Sequence, residues 1–314
     1  MKSTIKVFIF LLYLVFSAVC SAKDIDGKII VDETEREYIL HLPKEYDVTI
    51  PLPLVMVFHG GGGDSKGMVR LTKFNKLSDK ENFIVVYPNG INKSWSDGRI
   101  GEKLPVDRDD VKFASYLIDT LRDKYNIDTN FVFATGISNG GFFSIYLAYK
   151  LSKRILAVAP VTANLPESYA NEFKMEYPVS LLLINGTEDP LVKYDGGFVG
   201  FRDEGERGKS VSTDETIRLW MKANNCMTSR KIEDIVNKNI HDGCTAKKFT
   251  YYKCNDRTRV SLIKIDGGGH TWPGGTQYLP KLIVGNVCKD FKATEVIWEF
   301  FKKQMQGISD EDEN

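Results

Sequence analysis

The sequence predicts an α/β fold in which a mostly parallel central sheet is flanked by helices in a single domain. Three observations carry that expectation. From the third strand on, strand-like runs alternate with helix-patterned segments. Pro178-Val179-Ser180-Leu181-Leu182-Leu183-Ile184-Asn185 is a near-continuous apolar run, the pattern of a parallel strand covered on both faces. Finally, the β-branched and aromatic run Phe131-Val132-Phe133-Ala134-Thr135 passes through Gly136-Ile137-Ser138-Asn139-Gly140 into a helical pattern from Phe142 to Lys150.

Taken in order, the first element is not part of the fold. Lys2 and Lys6 precede the apolar run Val7 to Val19, and Cys20-Ser21-Ala22 supplies small residues before Lys23, so residues 1–22 read as a secretory signal peptide. The run is short for a membrane span. An acylated Cys20 or an uncleaved anchor are the competing readings. The domain then occupies residues 23–306, with strands expected near 28–31, 36–42, 53–58, 83–87, 131–135, 155–161, 179–185, 249–254 and 259–265. A helix from Asp109 sets Val111, Ala114, Ile118, Leu121 and Tyr125 on one stripe, with acids at its positive N-terminal end. Another opens on the capping box Ser212-Thr213-Asp214-Glu215 and buries Ile217, Trp220 and Met221. The last buries Val296, Ile297, Phe300, Phe301 and Met305, and the acidic tail 307–314 is expected to be disordered.

Lysine plus arginine and aspartate plus glutamate balance at 42 each, which argues against a nucleic-acid footprint. After signal removal an even set remains: Cys226, Cys244, Cys254 and Cys288. In an oxidising compartment these predict disulfides, with Cys226–Cys254 and Cys244–Cys288 the favoured pairing among the possible connectivities. Without a Cys-x-x-Cys spacing no metal site is expected.

The chemistry is concentrated in few residues. Gly-x-Ser-x-Gly between strand and helix can hold Ser138 as a nucleophile on a sharp turn. A base must accompany it. Of four histidines, His41 lies in an early strand and His241 in a polar segment, while His59 ends a strand and opens Gly60-Gly61-Gly62-Gly63. His270, in Gly267-Gly268-Gly269-His270-Thr271-Trp272-Pro273, is left as the base. Asp189 follows the apolar 179–185 strand and is the expected orienting acid, with Glu188 and Asp195 as neighbouring alternatives. Main-chain N–H groups of Asn139 and of a loop glycine, chiefly Gly61, are the expected oxyanion donors. Trp95, His59 and Trp272 are placed in the substrate cleft.

Ser138, Asp189 and His270 behind the His59-to-Gly63 loop resemble the triad and oxyanion loop of an esterase family. That family includes poly(3-hydroxybutyrate) depolymerases and feruloyl or acetylxylan esterases. Val85-Val86-Tyr87-Pro88-Asn89-Gly90, Ser94-Trp95, Asp109-Asp110-Val111, Tyr194-Asp195-Gly196-Gly197 and His270-Thr271-Trp272-Pro273-Gly274-Gly275 are similar to its blocks in matching order, over roughly residues 27 to 303. Between Asn225 and Cys254 a Lys-rich, Cys-bearing stretch departs from the pattern and reads as an insertion. The resemblance implies an α/β-hydrolase fold and a secreted serine carboxylic-ester hydrolase acting through an acyl-enzyme; an acyltransferase or peptidase on the same fold, or a non-catalytic binding protein that keeps it, are the alternatives. It implies no cofactor, a small or oligomeric ester as partner, no nucleic acid, no membrane association after signal cleavage, and a monomer.

Overall fold

The computed structural model describes residues 22–104, 108–201 and 206–306; the signal-peptide and acidic-tail expectations otherwise fall outside these residues. The strands are β1 (Lys23–Val31), β2 (Thr34–Leu42), β3 (Leu52–Phe58), β4 (Ile84–Pro88), β5 (Ile127–Ile137), β6 (Ala157–Val161), β7 (Ser180–Gly186), β8 (Gly197–Phe198), β9 (Lys209–Ser210), β10 (Arg230–Ile235), β11 (Thr245–Tyr251) and β12 (Val260–Asp266). The helices are α1 (Ser65–Thr72), α2 (Phe74–Glu81), α3 (Asp110–Tyr125), α4 (Asn139–Lys150), α5 (Glu167–Ala170), α6 (Thr213–Ala223), α7 (Lys281–Val284) and α8 (Ala293–Gln306).

Ten strands form one sheet in the order β1-β2-β4-β3-β5-β6-β7-β12-β11-β10. From β4 to β12 every neighbouring pair is parallel, and an antiparallel hairpin extends each edge. This is the α/β-hydrolase architecture the sequence predicts. Alternation along the strands feeds two cores: Leu54, Met56 and Phe58 of β3 face one side, Val55 and Val57 the other. The first side is covered by α3, α4 and α6 through Phe113, Leu117, Phe142 and Trp220. Met68 of α1, Phe74 of α2 and Ile297 and Phe301 of α8 cover the second. Ser212 caps α6 as its sequence predicts, its Oγ accepting the Glu215 N–H at 3.0 Å.

Two expectations change. The 225–254 stretch is not an insertion outside the fold but the hairpin β10–β11 that continues the sheet. Its strand Arg230-Lys231-Ile232-Glu233-Asp234-Ile235 carries no alternating apolar face because it is an edge strand, where exposed charges discourage pairing with other chains. The cysteines divide: Cys226 and Cys254 are bonded and tie the end of α6 to the segment after β11, whereas Cys244 and Cys288 are buried free thiols. They lie side by side, and the Cys288 contact together with burial pushes the Cys244 thiol up, which disfavours the thiolate needed for disulfide formation. Among the described residues no helix is long and apolar enough to cross a membrane.

Candidate active site

The site grows from the turn between β5 and α4. Ser138 sits there with φ 56° and ψ −124°, a strained backbone for a residue with a side chain. The surroundings hold it. Its N–H donates to the Val161 carbonyl at 3.0 Å and to the Thr162 hydroxyl at 3.2 Å, and its carbonyl accepts the Phe142 N–H at 2.8 Å, starting α4. The flanking glycines are required by close crossing of backbones: a Cβ on Gly140 would lie 2.3 Å from the Phe58 carbonyl oxygen, and one on Gly136 would lie 2.6 Å from it. The turn therefore presents Ser138 at the carboxyl ends of the parallel strands, where the chain order reverses around β3 and open α/β sheets bind ligands.

Asp189 follows β7 and His270 follows β12, the neighbouring strand. Their side chains meet at 2.7 Å, His270 Nδ1 to Asp189 Oδ2, with both residues buried. A carboxylate only accepts, so Nδ1 carries a proton, and in the neutral ring Nε2 keeps its lone pair. Asp189 is itself fixed, since its Oδ1 accepts the Leu191 and Val192 N–H groups at 2.8 Å each. The His270 backbone is held on both sides: its N–H donates to the Val284 carbonyl at 2.6 Å and its carbonyl accepts the Tyr278 hydroxyl at 2.6 Å. Burial, with the Asp189 charge nearby, raises the Tyr278 phenol further above its ordinary range, so it stays a donor. Tyr278 was not marked by the sequence, because a single loop tyrosine carries no pattern.

Ser138, Asn139, His270, His59 and Gly60 to Gly63 line one cleft of about 550 Å³. In the glycine loop, Gly62 N–H donates to Lys93 and Gly63 N–H to Gly60, whereas among the described residues no acceptor takes the Gly61 N–H. A Cβ placed on Gly61 would meet only the Asn139 Cβ, at 3.9 Å, so the loop faces the residue after the serine. His59 forms the cleft wall, but both ring nitrogens are spent inside: Nδ1 donates to the Gly60 carbonyl at 2.8 Å and Nε2 accepts the Gly90 N–H at 2.9 Å. Burial lowers its pKa, which keeps the ring neutral for this paired role.

The two tryptophans are not in the cleft. Trp95 is wholly buried, stacked on Phe143 at 5.1 Å and edge-on to Phe58 at 5.2 Å, with Nε1 donating to the His59 carbonyl at 2.9 Å. It packs beneath the site instead of flooring it, because three aromatic neighbours and a hydrogen-bond acceptor for its N–H lie on the core side. Trp272 is likewise buried, donating to Thr294 Oγ1 at 3.2 Å. What Trp95 supports is Asn139: the amide accepts the Trp95 N–H at 2.8 Å and donates to the Trp95 carbonyl at 3.0 Å and to Asp97 Oδ2 at 2.7 Å. Beneath this loop, Asp110 accepts the Ser96 N–H at 2.7 Å and pairs with buried Arg36 at 2.7 Å. Asp97 gave no sequence signal beyond being a loop acid.

Residues 31–183 match a family model described as "Putative esterase". The chain is 30% identical to the "Putative esterase NocK" of Nocardia uniformis subsp. tsuyamanensis over 87% of its own length and 81% of that protein's. It belongs to the esterase family. This esterase is also 25% identical to a "Probable feruloyl esterase C" of Aspergillus niger, over 85% of the chain and 83% of that protein. The acetyl xylan esterase from Aspergillus awamori shares its fold, with a TM-score of 0.58 over 88% of this chain and 98% of that one at 15% identity. The esterase is a carboxylic ester hydrolase.

Proposed function

We propose that the esterase is a secreted enzyme that cleaves small or oligomeric carboxylic esters through an acyl-enzyme on Ser138. The observation that carries this reading is the buried 2.7 Å contact of Asp189 with His270, which lines the same cleft as a serine on a strained turn. His270 Nε2 takes the Ser138 proton as Oγ bonds to the ester carbonyl carbon, and Asp189 fixes the tautomer and stabilises the imidazolium. The N–H groups of Asn139 and Gly61 receive the oxyanion. Collapse of the tetrahedral intermediate breaks the ester C–O bond, and the alcohol leaves with the proton from His270. Water, deprotonated by the same imidazole, then attacks the acyl carbon and releases the acid and free Ser138.

No cofactor enters this scheme. Secretion is supported by the charged and apolar start of the chain and by the Cys226–Cys254 bond. The names of the feruloyl and acetylxylan esterases to which the chain is similar support cell-wall-type acyl esters as a substrate class. The test is Ser138→Ala, assayed on 4-nitrophenyl butyrate with the wild type labelled in parallel by an organophosphonate. Turnover is expected to fall to a residue of about 10³ to 10⁴ over water, with the label mapping to Ser138. Retained turnover, or a label elsewhere, removes Ser138 from the nucleophile's role.

A further inference from the structure

The walls of the cleft carry an uneven charge. Arg70, Arg99 and Arg207 all line it, against Asp64 as the lining acid, and the acids next to it in the structure or the sequence are committed elsewhere. Asp64 Oδ1 caps α1 through the Gly67 N–H at 2.7 Å. Asp189 is held by His270 and two backbone N–H groups. Glu206, beside Arg207 in sequence, is drawn to Lys103 at 2.7 Å. With 42 basic against 42 acidic residues in the whole chain, this local excess is not a background of a basic protein.

The three arginines differ in how they are held. Arg99 is a fixed fork: it pairs with buried Asp97 at 2.6 Å, lies over the Phe142 ring at 4.1 Å, and its side chain is 4% exposed. Its Nη1 also donates to the Arg207 carbonyl at 3.0 Å, so it anchors the loop that carries the second arginine. Arg70, in the last turn of α1, and Arg207 are exposed, and among the described residues neither has an acid paired with it. Between them lie apolar walls from Met68, Leu71, Leu191 and Val199. An apolar body ending in a planar anion fits such a cleft, since guanidinium groups match carboxylates in shape and donor spacing.

We infer that this esterase prefers esters bearing a free carboxylate away from the scissile bond, received by Arg70 and Arg207 on the wall that Arg99 stiffens. This rests on the ester-hydrolase reading of the same cleft. A small acyl chain ending in a carboxylate is the simplest such substrate, so 4-nitrophenyl hydrogen glutarate is compared with 4-nitrophenyl valerate, its neutral match in length. At low salt kcat/KM for the hydrogen glutarate is expected to exceed that for valerate by about tenfold, and added salt to shrink the ratio. In Arg70→Gln/Arg207→Gln the ratio is expected to fall to one or below. Both side chains are exposed, so the fold is not at stake.

A binding arm separates the two readings. In Ser138→Ala, calorimetry of monomethyl glutarate against methyl valerate is expected to show the same preference, lost when the two arginines are also replaced. Valerate cleaved as well as the hydrogen glutarate, or a preference that survives the double substitution, overturns the inference and leaves the hydrolase reading intact. Arginine-dependent binding of the anion with no ester turned over supports the inference and overturns the hydrolase reading.

Discussion

Asp189→Asn tests the tautomer argument at a single atom. Asp189 Oδ1 accepts two backbone N–H groups at 2.8 Å, and Oδ2 meets His270 Nδ1 at 2.7 Å. An amide in its place must keep its oxygen toward the two N–H donors, because turning round would set N–H against N–H. Its NH₂ group then faces His270 Nδ1 and forces that nitrogen to accept. The imidazole proton moves to Nε2, which can no longer take the serine proton. The expected loss in kcat is about 10⁴-fold, equivalent to about 5.4 kcal/mol of barrier. Because shape and the two backbone hydrogen bonds are kept, the melting temperature is expected to change little. The assay is kcat on 4-nitrophenyl butyrate beside thermal unfolding followed by circular dichroism. More than roughly a tenth of wild-type kcat in a folded variant would show that Asp189 does not set the tautomer.

Two further outcomes follow from residues around the site. Trp95→Ala is expected to cost about 3 to 5 kcal/mol of stability, as for other fully buried aromatics, and to leave the ratio of kcat/KM between an aromatic and an acetyl ester unchanged; a shift in that ratio restores Trp95 to the cleft. His59 has its pKa lowered by burial, so below about pH 6.5 the unfolded chain binds the proton first and folded stability falls as pH drops. In His59→Gln, which keeps one donor and one acceptor, denaturation at pH 7.5 and 5 is expected to show a smaller acid loss than wild type; equal losses assign the acid sensitivity to other groups.

The sheet and the elbow were legible for a physical reason. Parallel strands buried on both faces write continuous apolar runs, as at Leu181 to Ile184, and a backbone crossing too close for a Cβ writes glycine, as at Gly136 and Gly140. The Asp189–His270 meeting was readable from strand ends that the topology makes neighbours. Edge strands write neither signal, which is why β10 passed for an insertion. The tryptophans misled because an aromatic near a motif looks the same in sequence whether it faces the cleft or the core. Only the packing of Trp95 against Phe58, Phe113 and Phe143 decides it. Of the cysteines, spacing could not separate the bonded pair from the buried thiols.

The misplaced tryptophan also explains how the serine's strain is sustained. A turn at φ 56° persists only where its neighbours over-determine it. Asn139 adds to the constraint that Val161, Thr162 and Phe142 place on the Ser138 backbone, its amide held by the Trp95 backbone and by Asp97 at 2.7 Å. Asp97 in turn holds Arg99, whose guanidinium reaches the Arg207 carbonyl. One chain of hydrogen bonds, buried at its Asn139 end and exposed at its Arg207 end, therefore runs from the residue after the nucleophile to the arginine-bearing wall. A substitution at Asp97 strikes both ends, leaving Arg99 buried without its counter-ion and Asn139 short of an acceptor, so loss of turnover and loss of discrimination between charged and neutral esters are coupled through it.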